Sequence, residues 1–173
     1  MTDPEYRMIA QLKKGECSIE RALLIVSGLD EQGVRAYQQK LDCIEDSFRR
    51  SYRTSPSPLP EGFAISDDYA VVEALFGYLW GRQKKLYNDD FILTTVIDNR
   101  LEDNVHKPIG NCVGLTLLYS VMGIRLGLNL GVLFEYPLSG IFLPNHHMLS
   151  LLHCGGVEIA VENTSQKGFD FSL

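Results

Sequence analysis

The sequence predicts an α+β fold, with helices through most of the chain and an antiparallel sheet near its end. Up to Gly127, apolar residues recur at steps of three and four, the spacing of amphipathic helices. After Gly127, apolar and polar residues alternate in short segments, as in half-buried strands. Gly155 and Gly156 supply turn chemistry between two of these segments. Helices that precede a run of strands indicate an α+β arrangement.

The first part of the chain predicts three helices. Residues 4–14 form the first, and Ser18 can cap a second over residues 19–27. Asp30 can cap a third that runs to about Tyr52. Its apolar residues form one amphipathic stripe, namely Val34, Tyr37, Leu41, Ile44 and Phe48.

The segment TSPSPLPEG, residues 54–62, interrupts the helical pattern with three prolines. It is the best candidate for a boundary between two parts of the chain. We therefore predict a helical N-terminal region over residues 1–55, packed on a core over residues 56–173 or integrated with it in one domain.

The core region predicts three more helices. Ser66 and the two aspartates after it favour a helix start, and this helix reaches about Trp80. A second helix covers residues 89–102, and a third covers residues 112–126 and ends before Gly127. The apolar residues of the third helix surround almost its whole circumference, which predicts that other elements enclose it.

The last part of the chain predicts three strands. They are LNLGVLFEY (128–136), HHMLSLL (146–152) and VEIAVEN (157–163), with a loop over residues 137–144. The short connection between the second and third strands predicts a hairpin.

Cys112 is the first candidate functional residue because it follows Asn111, a residue that favours the N-cap position of a helix. The N–H groups and the dipole at a helix start stabilise an anion, so a thiol placed there loses its proton more readily. The same N–H groups can hold the oxyanion of a tetrahedral intermediate. Asn111 and Cys112 therefore predict a nucleophile with part of an oxyanion hole, although a cysteine often serves only as a small apolar side chain.

His147 is the candidate base, and the alternation of strand side chains suggests its partner. If the hairpin turn has two residues, either Cys154-Gly155 or Gly155-Gly156, then His147 and Glu162 lie on one face as direct or diagonal neighbours. A carboxylate beside His147 would fix its tautomer and stabilise the imidazolium ion.

A three-residue turn would reverse this pairing. Asn163 would then face His147, or His146 would pair with Glu162. Two-residue hairpin turns are the commonest, which favours Glu162.

Two other interpretations of this region are a hairpin with solvated histidines and a metal site. A metal site would draw on Cys112, His147, His153 and Cys154. His153 and Cys154 are adjacent, however, and strand neighbours point to opposite faces. Because no standard zinc spacing is present, we predict no metal and no cofactor.

These residues resemble the Cys-His-Asp core of the transglutaminase-like superfamily. The matching features are GNC at the start of an apolar helix, a histidine 35 positions later and VENT 14 to 17 residues beyond that histidine. The segments ERALLIVSGLDEQGVRAYQQKLDCI and GLTLLYSVMGIRLGL are similar to a bacterial branch that has a helical N-terminal region. Glu162-Asn163 stands where the superfamily has Asp-Pro, which adds a methylene to the acid.

The resemblance implies a papain-like α+β core in which Cys112 is the nucleophile, His147 the base and Glu162 the orienting acid. It implies thioester chemistry on a protein or peptide amide, either hydrolysis or transfer to an amine. Relatives with an apolar start to this helix suggest an alternative, a catalytically inactive binding module. No calcium-binding loop pattern is visible in the sequence.

The composition of the chain argues against two classes of partner, nucleic acids and membranes. The net charge is −6 and no basic run stands out, so we predict no nucleic-acid partner. No apolar stretch reaches the about 18 residues that a membrane span needs, and the four cysteines lack close pairing, so we predict a cytoplasmic protein without a membrane association. The chain ends soon after Glu162, as a fragment of a longer protein would, and the sequence does not predict an oligomeric state.

Overall fold

The computed structural model describes residues 3–54, 67–135, 147–165 and 168–169, which form six α-helices and a three-stranded antiparallel sheet. The helices are α1 (Asp3–Lys13), α2 (Ile19–Val26), α3 (Glu31–Thr54), α4 (Asp67–Trp80), α5 (Leu93–Leu101) and α6 (Cys112–Arg125). The strands are β1 (Leu130–Glu135), β2 (His147–Cys154) and β3 (Val157–Val161). This order of elements confirms the predicted α+β class. The predicted connector, except for Thr54, falls in residues 55–66, which lie outside the described residues, and so does Ser66, the predicted start of α4.

Two N-terminal helices begin at the caps that the sequence predicts. Ser18 Oγ accepts a hydrogen bond from the Arg21 N–H at 3.2 Å, and Asp30 Oδ1 accepts one from the Gly33 N–H at 2.8 Å. The buried side chains of α2 and α3 belong to one hydrophobic cluster with those of α4, α5, α6 and the sheet, and those of α3 are Val34, Leu41, Ile44 and Phe48. Helices α2 and α3 therefore share their core with α4, α5, α6 and the sheet.

Arg125, in the last turn of α6, adds a polar tie between α6 and the N-terminal helices. Its guanidinium group binds the carboxylates of Glu20 in α2 and of Asp42 and Glu45 in α3, the last two at 2.7 and 3.2 Å. Burial opposes the charge on Arg125, but the hydrogen bonds and charges of Glu20 and Asp42 outweigh it and raise the pKa of the guanidinium group.

Helix α6 is enclosed by other elements, as its uniformly apolar surface predicts. Gly114 rests against Val96 of α5, and the Tyr119 hydroxyl donates to the Val72 carbonyl of α4 at 2.7 Å. The sheet covers a further side of the helix. The start of α6 is therefore fixed by contacts on several sides.

The sheet has the order β1-β2-β3, with antiparallel pairing throughout. Cys154 pairs with Val157, so the hairpin turn consists of Gly155 and Gly156, with φ angles of 58° and 83°. Positive φ at both central residues is what a type I′ turn requires, and glycine adopts it without strain. The structure thus has the Gly155-Gly156 turn, one of the two two-residue turns that the sequence allows. The alternative prediction of a three-residue turn is wrong.

The predicted helix over residues 89–102 begins only at Leu93. The Asp90 N–H donates to Asn88 Oδ1 at 2.8 Å, a local side-chain bond that competes with helical hydrogen bonding. The remaining predicted helices and strands agree with the structure to within about two residues.

Candidate functional site

The start of α6 has the capping geometry that the sequence predicts. Asn111 has an extended backbone, and its Oδ1 accepts hydrogen bonds from the N–H groups of Val113 and Gly114 at 3.0 and 3.1 Å. Cys112 is the first residue of the helix and is half-buried. All four cysteines lie in the described residues, and none forms a disulfide.

The non-helical segment of residues 86–92 fixes the start of α6. The Asn111 N–H donates to the Asp90 carbonyl at 2.7 Å, and the Asn88 N–H donates to the Gly110 carbonyl at 3.1 Å. A Cβ atom at Gly110 or Gly114 would come within 2.7 or 2.5 Å of a Val96 methyl group. These hydrogen bonds and close contacts hold the backbone on both sides of Cys112.

His147 and Glu162 are in contact, as the alternation of strand side chains predicts. Ser150 pairs with Val161, so Glu162 continues β3 opposite Leu149 and lies diagonally across from His147. His147 Nε2 and Glu162 Oε2 form a short hydrogen bond. The side chain of Glu162 is 4% exposed, whereas that of His147 is 30% exposed. The acid therefore lies inside the protein, and the imidazole ring connects it to the surface.

The second oxygen of Glu162 also has partners. Oε1 accepts hydrogen bonds from the N–H and the hydroxyl group of Thr164, at 2.7 and 2.6 Å. The Glu162 N–H donates to the Gly168 carbonyl at 2.9 Å. Thr164 was not predicted from the sequence as a site residue, although it is the last residue of the VENT motif.

Helix α6 runs beside β2 in the same direction. Thr116 Oγ1 donates to the Met148 carbonyl at 3.0 Å, and one turn later the hydroxyls of Ser120 and Ser150 lie 2.9 Å apart. Cys112 precedes Thr116 by one helical turn, on the same side of α6. The thiol therefore lies at the end of the sheet where β2 starts with His147.

Alternation along β2 separates two sets of polar side chains. Ser150 points toward α6, and His147 and Glu162 belong to the other face of the sheet. Cys112 and His147 lie at the same end of the sheet, at the start of β2, with His147 on the face opposite to the one that contacts α6.

Asn163, the alternative orienting residue, belongs to the face toward α6. Its Nδ2 donates to Ser150 Oγ at 3.0 Å and to Thr116 Oγ1 at 3.3 Å, and its Oδ1 accepts from Trp80 Nε1 at 3.3 Å. Asn163 is fully buried. Its amide group therefore joins α4, α6 and β2, and its hydrogen bonds do not go to His147. His146, the other alternative, lies outside the described residues.

The remaining residues of the considered metal set are spread apart. His153 Nδ1 lies 3.2 Å from Glu158 Oε1, in an exposed pair across β2 and β3, and Cys154 lies on the opposite, buried face. In the part of the chain that the structure describes, no group of three or more His, Cys, Asp or Glu side chains could hold a metal ion.

Comparisons of the chain with family models, curated proteins and solved structures found no match. The resemblance to the transglutaminase-like superfamily thus depends on the motifs in the chain alone. Over the described ranges, no helix has both the length and the apolar character needed to cross a membrane.

Proposed function

We propose that this chain is a cysteine-dependent enzyme that hydrolyses protein or peptide amides or transfers their acyl groups. In this proposal its α+β fold contains a papain-like, transglutaminase-like core. The observation that carries the proposal is the His147–Glu162 hydrogen bond at the end of the sheet that adjoins the N-terminus of α6. A partly exposed imidazole ring bonded to a buried carboxylate is the usual arrangement of a general base with its orienting acid.

The hydrogen bond to Glu162 assigns roles to the two ring nitrogens of His147. In the proposal, the Glu162 carboxylate accepts the proton of Nε2, so Nδ1 carries the lone pair and accepts the thiol proton. The Cys112 thiolate then attacks the amide carbon, and the electron pair of the C=O bond moves to oxygen. When the C–N bond breaks, the amine leaves with the proton from His147, and a thioester remains on Cys112. Water or a second amine completes the reaction by attack on the thioester.

The first turn of α6 limits which N–H groups can bind the oxyanion. Those of Val113 and Gly114 already donate to Asn111 Oδ1. The proposal assigns the oxyanion to the backbone N–H of the nucleophile Cys112 itself, where the positive end of the helix dipole adds to its effect.

Alkylation by iodoacetamide, followed at each cysteine by mass spectrometry, tests the proposal. We expect Cys112 to react at least about tenfold faster than the exposed Cys43 at about pH 7, because thiolate formation controls this reaction. His147→Ala should reduce the rate at Cys112 toward that of Cys43. In urea, where the site is unfolded, the rates at the two thiols should converge.

The outcomes separate the alternatives. If Cys112 in the folded protein reacts no faster than Cys43 and His147→Ala changes nothing, the chain is not a cysteine enzyme of this kind and the inactive binding module becomes the better interpretation. If His146→Ala slows Cys112 and His147→Ala does not, the base is His146.

A further inference from the structure

Glu162 has two carboxylate oxygens with different partners. Oε2 bonds to His147 Nε2, and Oε1 accepts both the N–H and the hydroxyl group of Thr164. Both Thr164 bonds are short, at 2.7 and 2.6 Å, and they reach a carboxylate that is almost fully buried. Hydrogen bonds to a charged acceptor in such a site are stronger than those between neutral groups.

Glutamate needs such a restraint more than aspartate does. Its additional methylene adds a rotatable bond, so a buried carboxylate on Glu162 could turn away from His147 unless other groups hold it. The two donors of Thr164 occupy Oε1 and leave Oε2 as the acceptor that faces the imidazole ring.

The backbone that carries Thr164 is itself held in place. Asn163, the residue between Glu162 and Thr164, bonds to Trp80, Thr116 and Ser150 on the other side of the sheet. The Glu162 N–H donates to the Gly168 carbonyl at 2.9 Å, which also holds the backbone next to Asn163. The backbone position of Thr164, and with it that of the N–H group and the hydroxyl group that bind Glu162, is therefore fixed.

We propose that Thr164 is a positioning residue that directs Oε2 of Glu162 to His147 and so keeps the imidazole proton on Nε2. Its effect on Cys112 rests on the proposed function, but its effect on the His147 ring does not. Thr164 acts through Glu162 and touches neither the thiol nor the substrate.

Substitutions that change only the hydroxyl group test this role. Thr164→Val removes the hydroxyl and keeps the shape and the backbone N–H, and Thr164→Ser retains the hydroxyl. Glu162→Gln serves as the reference for loss of the carboxylate. Thr95→Val, in α5, is the matched control for loss of a threonine hydroxyl elsewhere.

The first readout is the tautomer of His147, read from its ring ¹⁵N chemical shifts and assigned with His147→Ala. We expect the wild type, Thr164→Ser and Thr95→Val to hold the proton on Nε2, and Thr164→Val to give a mixture of tautomers, as Glu162→Gln does. In the wild type, the Thr164 amide proton should resonate downfield and lose this shift in Glu162→Gln, which tests the contact even if Thr164→Val does not fold. An unchanged tautomer in folded Thr164→Val overturns the proposal.

The second readout is the alkylation rate of Cys112, with the Trp80 fluorescence of each variant as the check on folding. Thr164→Val should slow the reaction about tenfold, the factor expected for one hydrogen bond to a charged group, and Thr164→Ser should restore it. If His147→Ala leaves the rate at Cys112 unchanged, the proposed function fails, while the tautomer measurement still decides the role of Thr164.

Discussion

Asn111 has two effects at the start of α6. Its side chain accepts hydrogen bonds from two N–H groups of the first turn, which stabilises the helix. In the proposed function, its neutral amide also leaves the positive end of the helix dipole available to a thiolate at Cys112. The first effect is structural and the second is electrostatic. Substitutions can separate them because aspartate caps a helix as well as asparagine does.

We expect Asn111→Ala to lower the free energy of unfolding by about 1 kcal/mol, because the N–H groups of Val113 and Gly114 lose their acceptor. Asn111→Asp should retain most of this stability but slow the alkylation of Cys112 about tenfold or more, because a carboxylate beside the thiolate repels it. Urea denaturation and alkylation rates measure the two effects. Equal rates at Cys112 in the wild type and Asn111→Asp would show that the helix start does not activate the thiol.

The position of α6 depends on a glycine at its contact with α5. Gly114 allows α6 to approach α5 and the segment of residues 86–92, because its missing Cβ would lie 2.5 Å from a Val96 methyl group and 3.1 Å from the Asp90 carbonyl oxygen. Gly77 in α4 has no such neighbour, since nothing lies within 4 Å of the Cβ position. The two helical glycines therefore differ in what surrounds them.

Gly114→Ala should destabilise the protein by about 2 kcal/mol, because the new methyl group would overlap the Val96 methyl group and Val96 is fully buried. Gly77→Ala should stabilise it by up to about 1 kcal/mol, because alanine is the better helix former and meets no contact. Urea denaturation of both variants provides the measurement, with Gly77→Ala as the matched control. A Gly114→Ala variant as stable as Gly77→Ala would contradict the close packing of α6 on Val96.

At the scale of the whole molecule, much of the fold could be predicted from short-range features of the sequence, such as helix caps and hairpin turns. The caps at Ser18, Asp30 and Asn111 depend on residues within one turn of helix, and the structure has all three. Strand parity predicted the contact between His147 and Glu162, because the two-residue turn at Gly155-Gly156 is determined by adjacent residues. Features of this kind need no knowledge of distant parts of the chain.

Features that depend on distant contacts were not predicted. The segment of residues 86–92 has a helical pattern in part, but Asn88 forms a local bond and the segment then pairs with the start of α6. Asn163 was an alternative partner for His147 because a three-residue turn would have reversed the parity of the hairpin. The sequence did not predict its actual bonds to Trp80 and Thr116, because both partners lie far from it in the sequence.

Arg125 provides a test of whether the N-terminal helices and the rest of the chain unfold together. Arg125→Ala should lower the free energy of unfolding by about 2 kcal/mol, because the carboxylates of Glu20 and Glu45 are mostly buried and would lose their shared cation. Arg82→Ala, which removes an exposed pair with Asp103, should change it by less than about 0.5 kcal/mol.

The shared hydrophobic cluster predicts that Arg125→Ala unfolds in a single transition, at a lower urea concentration than the wild type. The buried residues of α2 and α3 cannot unfold without exposing those of α6. Trp80 fluorescence reports the buried contact between α4 and Asn163, and circular dichroism reports all the helices. The two signals should change at the same urea concentration in the wild type and in the variant. Helical signal that disappears before the Trp80 signal would instead show that residues 1–55 unfold as a separate unit.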